Sequence, residues 1–142
     1  RMPYMEPVYD VLEKNHGKVI YFDFWARWCP PCLTEMEPLK QLRSKFSTND
    51  LIIYSICVSE SKEQWEECLN EYSLKNRGIE CVHVTDYLGI DNYQKIRKQW
   101  KIDRIPYYIL INRKGQIIDF GATARPSNPQ LVSRIEDAVN SK

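Results

Sequence analysis

Two cysteines separated by two prolines are where this sequence offers chemistry. They lie in Trp28-Cys29-Pro30-Pro31-Cys32, at the point where an apolar run gives way to a helical pattern. A cysteine at a helix N-terminus sits among backbone N–H groups that have no intrahelical partner, at the positive end of the helix dipole. Both favour the thiolate. A second cysteine one turn on faces the same way and can attack a mixed disulfide made by the first. Cys29 is thus the candidate nucleophile and Cys32 the candidate resolving thiol of a dithiol–disulfide exchange. Pro30 and Pro31 have no N–H, so the amide of Cys32 is the nearest donor left for the Cys29 sulfur. A thiolate with fewer donors is less stabilised, which predicts a reductant or mid-potential exchanger in preference to a strong oxidant. The other reading of this spacing is half of a closed zinc site, with Cys81 and His83 as the remaining ligands. The two prolines remove N–H groups that usually support zinc-bound thiolates, so redox chemistry is the favoured reading and no metal or cofactor is expected.

Asp23 is the one charged residue in the run Val19 to Trp25 and lies six positions before Cys29. A buried, unpaired carboxylate is costly, so its pKa is expected to rise. It is a candidate proton acceptor for Cys32, or else a structural carboxylate held by an ion pair or water; spacing leaves both open. Ile105-Pro106 is a third signal, and physics alone favours a trans bond there. Arg104 beside it is either a substrate contact or plain surface charge. Cys57, Cys68 and Cys81 fall on apolar strand or helix faces and read as small buried hydrophobes. His16 and His83 have no motif around them and read as structural or exposed.

These residues need elements to hold them. Val8, Val11 and Leu12 have helical spacing, ended by Asn15-His16-Gly17. Val19 to Trp25 and Leu51 to Val58 are apolar on both faces, as in strands buried on both sides of a parallel sheet. A helix from Pro30 carries Leu33, Met36, Leu39, Leu42 and Phe46, with a kink expected at Pro38. Ser61-x-x-Gln64 predicts a capping box before a helix bearing Trp65, Cys68, Leu69 and Tyr72. A short strand follows from Ile79 to Val84. Asp91-x-x-Gln94 then predicts the cap of a helix with Tyr93, Ile96 and Trp100. Tyr107 to Ile111 and Gln116 to Phe120 form a hairpin around Asn112-Arg113-Lys114-Gly115. Asn128-Pro129 opens a last helix with Leu131, Val132, Ile135 and Val139 inward. Strands alternating with helices and closing in a hairpin predict an α/β fold, a mixed sheet with helices on both faces.

The bulk numbers fit one domain over residues 1–142. At 142 residues, with 43% hydrophobic and 27% charged residues, the chain needs no disulfides to fold. A net charge of +1 gives no general attraction to nucleic acid or anionic membrane. The basic run Lys95, Arg97, Lys98 and Lys101 reads as a solvated face. No apolar run approaches the ~18 residues of a membrane span. The chain opens at Arg1 without an initiator Met or a charged-then-apolar leader, and is expected to be a mature or excised piece of a longer product.

The segment from Asp23 to Cys32 closely resembles the active-site segment of the thioredoxin superfamily. Within it the chain is most similar to the TlpA-like thiol:disulfide oxidoreductases of bacteria. Gly17-Lys18, Glu35-Met36, the extra segment Ser59 to Ile90, and the run from Tyr93-x-x-Ile96 through Ile102-x-x-Ile105-Pro106 to Gly115-x-Ile117 carry that similarity. The resemblance implies a thioredoxin fold with a TlpA-like insertion. It implies Cys29 as nucleophile, Cys32 as resolving thiol, Asp23 as the buried acid and Pro106 as a cis-proline beside the dithiol. It also implies that the Ile105 backbone pairs with substrate peptide, and that Trp25 and Trp28 are the aromatic surround that contacts it. The partners implied are protein thiols or disulfides and an upstream thiol reductase, with an exported, periplasm-facing location and a membrane tether outside these residues. The Pro-Pro pair also resembles tryparedoxins, which leaves open a cytoplasmic carrier delivering electrons to a peroxidase. A binding module without activity is the third expectation.

Overall fold

A computed structural model describes residues 9–59, 61–87, 89–99 and 101–141. Its elements run α1 (Tyr9–Lys14), β1 (Val19–Trp25), α2 (Pro30–Thr34), α3 (Met36–Ser44), β2 (Leu51–Cys57), α4 (Lys62–Glu71), β3 (Ile79–His83), α5 (Val84–Tyr87), α6 (Gly89–Gln99), β4 (Tyr107–Ile111), β5 (Ile117–Gly121) and α7 (Pro129–Asn140). The strand order is β3-β2-β1-β4-β5. β1 pairs in parallel with β2 and antiparallel with β4, β2 in parallel with β3, and β4 antiparallel with β5. This is the mixed sheet of a thioredoxin fold.

β1 lacks a polar face because it is the middle strand, with layers on both sides and every residue buried. Its alternate residues Ile20, Phe22 and Phe24 pack with Val11 of α1, Tyr93 of α6, and Tyr107 and Ile109 of β4. Val19 and Tyr21 point the other way, onto Leu39 and Leu42 of α3 and Leu131 and Ile135 of α7. A third cluster closes the C-terminal end of β1, where Trp25, Ala26, Cys29, Cys32 and Met36 meet Cys57, Cys68 and Leu69.

The local signals hold at several ends. Ser61 Oγ accepts from Gln64 N at 3.1 Å, and Asn128 Oδ1 accepts from Gln130 N at 3.1 Å. Gly115 turns the β4–β5 hairpin at φ +79°, a conformation that glycine adopts without steric cost.

Two helix boundaries differ from expectation. The helix after the cysteines does not kink at Pro38; it breaks at Glu35, between α2 and α3. Pro38 cannot donate to the carbonyl of Thr34, and its ring would crowd that carbonyl. Ending α2 at Thr34 puts Pro38 in the first turn of α3, where an N–H has no intrahelical partner anyway. The helix expected to be capped at Asp91 starts earlier, at Gly89. Acidic residues are favoured both at a cap and in the first turn, so this signal places the start only to within a turn. Val8 and Trp100 lie outside the described residues.

Candidate active site

Cys29 is the N-cap of α2, with extended backbone at φ −110° and ψ 96°. It is disulfide-bonded to Cys32, their Cα atoms 5.3 Å apart. Its Sγ accepts from Cys32 N at 3.3 Å, and its carbonyl accepts from Leu33 N at 3.2 Å. Pro30 and Pro31 occupy the positions between, so the Cys32 amide is the one first-turn N–H turned on the sulfur, as the sequence requires. Both sulfurs rest on the apolar cluster at the end of β1. The loop carrying them is tied to the end of β2: Arg27 N donates to Ser59 Oγ at 2.9 Å, and Val58 N donates to Trp25 O at 2.8 Å.

Asp23 sits on β1 opposite Ser55 of β2 and Tyr108 of β4. No donor among the described residues meets its carboxylate. Burial, reinforced by the charge of Glu35, pushes its pKa from 3.8 up to about 8. Glu35 is buried too, yet it is provided for: Oε1 accepts from Ser127 N at 2.9 Å and Oε2 from Ser127 Oγ at 2.7 Å. Its own N–H donates to Cys32 O at 3.2 Å. Glu35 therefore links the turn that carries Cys32 to the electrostatics of Asp23. The hydroxyl of Tyr108, across the ladder from Asp23, is buried without a partner among the described residues, and burial and the Asp23 charge push its pKa up. Sequence reasoning used Glu35 only as part of a motif. Its place one turn after Cys32 was the available signal.

The aromatic residues separate. Trp28, next to Cys29, is 70% exposed. Trp25, expected at the substrate surface, is instead 1% exposed, with Nε1 donating to Ser55 Oγ at 2.8 Å. Its position as the last residue of the central strand turns it under the dithiol, out of a substrate's reach. Ile105–Pro106 is a cis peptide bond; both residues are half-buried, and Ile105 packs against the cluster that holds Cys29 and Cys32.

Cys57 and Cys68 are buried, while Cys81 is only half-buried, which corrects the expectation of full burial for all three. Cys81 lies on β3, an edge strand with one open flank. Burial raises the pKa of all three thiols, that of Cys81 to about 11. His83 is buried with both ring nitrogens engaged, Nδ1 with Thr85 Oγ1 at 2.7 Å and Nε2 with Ser59 O at 2.6 Å. Nε2 must carry the proton toward the carbonyl and Nδ1 then accepts from the hydroxyl, which leaves no lone pair for zinc. His16 is exposed, as are Lys95, Arg97, Lys98 and Lys101.

Three comparisons bear on this geometry. A family model described as redoxin matches residues 8–139. Thiol-disulfide oxidoreductase ResA of Bacillus thuringiensis (strain Al Hakam) is 26% identical over 108 residues, 76% of this chain and 57% of that protein. The chain thus spans little more than half the length of the curated relatives it matches. A solution structure of a candidate thiol-disulfide oxidoreductase from Bacteroides vulgatus is 34% identical, with a TM-score of 0.68 over 89% of this chain and 76% of that one. The thioredoxin domain of a thiol-disulfide oxidoreductase from the same species has a TM-score of 0.74 at 23% identity, over 91% of this chain and 84% of that one.

Proposed function

Because the chain belongs to the redoxin family, on the TlpA-like branch of the thioredoxin superfamily, we propose that it exchanges electrons with protein disulfides through Cys29 and Cys32, working as a reductant. The observation that carries this reading is the Cys29–Cys32 pair itself, N-capping a helix beside exposed Trp28.

In the forward direction the Cys29 thiolate attacks one sulfur of a substrate disulfide. That bond breaks, one substrate sulfur leaves as a thiolate, and the other is joined to Cys29. Cys32 then gives its proton to Asp23 and attacks the Cys29 sulfur. The second substrate sulfur leaves and takes up a proton. Two electrons have passed to the substrate, and the Cys29–Cys32 disulfide is reset by an upstream thiol reductase. Asp23 suits the proton step because a carboxyl titrating at about 8 is matched to a thiol, and its ionised form, which grows as pH rises to about 8, accepts the proton. Trp28, Ile105 and Pro106 form the surface that the substrate peptide crosses. The single N–H donor to Cys29 favours the reducing direction.

The protein acts in an exported, periplasm-facing location, a reading that rests on the TlpA-like resemblance. Among the described residues no helix is long and apolar enough to cross a membrane. Insulin reduction tests the activity: turnover well above that of Cys29→Ser is expected, and equal rates would remove the enzyme reading. A reduction potential near those of strong oxidants, about −120 mV, would reverse the direction.

A further inference from the structure

A groove of about 330 Å³ opens beside the dithiol, lined by Trp28, Tyr93, Arg97, Ile105, Asp103 and Arg104 among others. It lies next to the reacting pair, since Trp28 adjoins Cys29 in sequence and Ile105 packs on the cluster that contains both cysteines. Its apolar lining includes the buried residues Val84 and Ile102. Its charge is lopsided, with two guanidiniums against the single carboxylate of Asp103. The Arg97 guanidinium lies 5.9 Å over the Tyr93 ring, and its Nε donates to Ile102 O at 3.5 Å, so it is held on the groove wall. Among the described residues neither Arg97 nor Arg104 is in a salt bridge. An arginine fork without a carboxylate is matched to a planar anion, which it takes in a bidentate manner.

We propose that this groove selects protein disulfides in which an acidic residue flanks the reacting cysteine, its carboxylate meeting Arg97 and Arg104 while Trp28 and Tyr93 cover the apolar part of the peptide. This rests on the exchange reaction proposed above and names the substrate feature it favours. The position of Arg104 next to Ile105, the residue whose backbone is proposed to align the peptide, brings the charge to within one or two residues of the substrate cysteine.

The test uses three disulfide-linked peptide dimers that differ only in the residues flanking cysteine: Glu, Gln or Lys. At low salt the Glu peptide is expected to exceed the Lys peptide in kcat/KM by about tenfold, from two exposed charge pairs worth a few-fold each. The ratio is expected to shrink at high salt. It should fall toward one in the Arg97→Gln/Arg104→Gln double variant and invert in Arg104→Glu. Ratios are taken within each variant, so a general loss of folded protein cancels. A wild-type ratio near one, or a ratio unchanged by the substitutions, would overturn the proposal. So would an equal dependence for oxidised glutathione with weaker use of every peptide, which would assign the groove to a small anionic thiol.

A binding arm separates this from failure of the exchange reaction. Peptides with Ser in place of Cys are titrated into the oxidised protein while the Arg97 and Arg104 Nε–H signals are followed by NMR. Movement with the Glu peptide alone supports the groove even if no disulfide is exchanged. No movement, or equal movement with the Lys peptide, removes it.

Discussion

The two ends of the central sheet treat charge in opposite ways. At the end where β1 and β2 begin, Arg113 is fully engaged. Its Nη1 donates to Gly17 O at 2.9 Å, Nε and Nη2 donate to Val139 O at 3.1 and 2.8 Å, and Nη2 meets Asp50 Oδ1 at 2.9 Å. Arg43, which is buried where Arg113 is half-buried, donates to Leu51 O and Phe46 O at 2.6 and 2.9 Å. At the other end Asp23 has no donor and its neighbour Tyr108 has a buried hydroxyl without a partner among the described residues. One end fastens the turns and helix ends of the fold to each other. The other raises the pKa of a carboxyl to about 8, so that it ionises only near the range where thiols do. Ionising a buried carboxyl without partners costs stability, a cost that the hydrogen-bonded end of the sheet avoids.

The largest effects are expected at the dithiol. Cys29→Ser should bring disulfide exchange down to the buffer rate. Cys32→Ser should instead accumulate the mixed disulfide on Cys29, visible as a stable adduct by mass spectrometry; an adduct on Cys32 in the reciprocal variant would reverse the two roles. Next comes Asp23→Asn, where stability and activity should move apart. The folded-state pKa of about 8 lies above the ordinary 3.8. Between those values the folded protein holds a proton that the unfolded chain has lost, so the contribution of Asp23 to stability is greatest below about pH 4 and declines as pH rises to about 8. Asn removes that slope, which should stabilise the protein by about 6 kcal/mol at pH 9 in urea denaturation and change little at pH 4. A variant less stable at pH 9 would show that Asp23 is a paired structural carboxylate.

Arg113→Ala tests the other end. It should lower stability by about 2–3 kcal/mol, through carbonyls left without donors, while leaving the exchange rate per folded molecule unchanged. A loss of exchange to match would mean that the two ends are not separable. The smallest effect is in the spare thiols. In the oxidised protein a thiol reagent should label Cys81 slowly and label Cys57 and Cys68 only as the chain unfolds. Prompt labelling of Cys57 would contradict the packing beneath the dithiol.

Much of the dithiol end was legible because its signals are local. A cysteine before two prolines at a strand-to-helix change defines the N-cap, the lone Asp23 in an apolar strand defines the buried acid, and a buried acid must titrate high. The parts that were not legible depend on contacts made across the fold. Ser127, far along the chain from Glu35, decides which of two buried carboxylates is hydrogen-bonded. Trp25 and Trp28 differ by three positions in sequence, but only the path of the loop after β1 buries one and exposes the other. Cys81 has the same inward alternation as its neighbours, and its partial exposure follows from the strand order, which puts β3 at the sheet edge. The Arg113 cluster draws on a hairpin turn, a strand start and the last helix, and no single stretch of sequence contains it.

The central claim is that Asp23 takes the proton of Cys32 during resolution. It is tested most directly by the lifetime of the Cys29-linked mixed disulfide measured against pH in wild type and in Asp23→Asn. In wild type the resolution rate should climb with pH and level off above about 8, and in Asp23→Asn it should be slower by ~10²-fold at neutral pH and lack that inflection. Superimposable profiles in the two proteins would contradict the account.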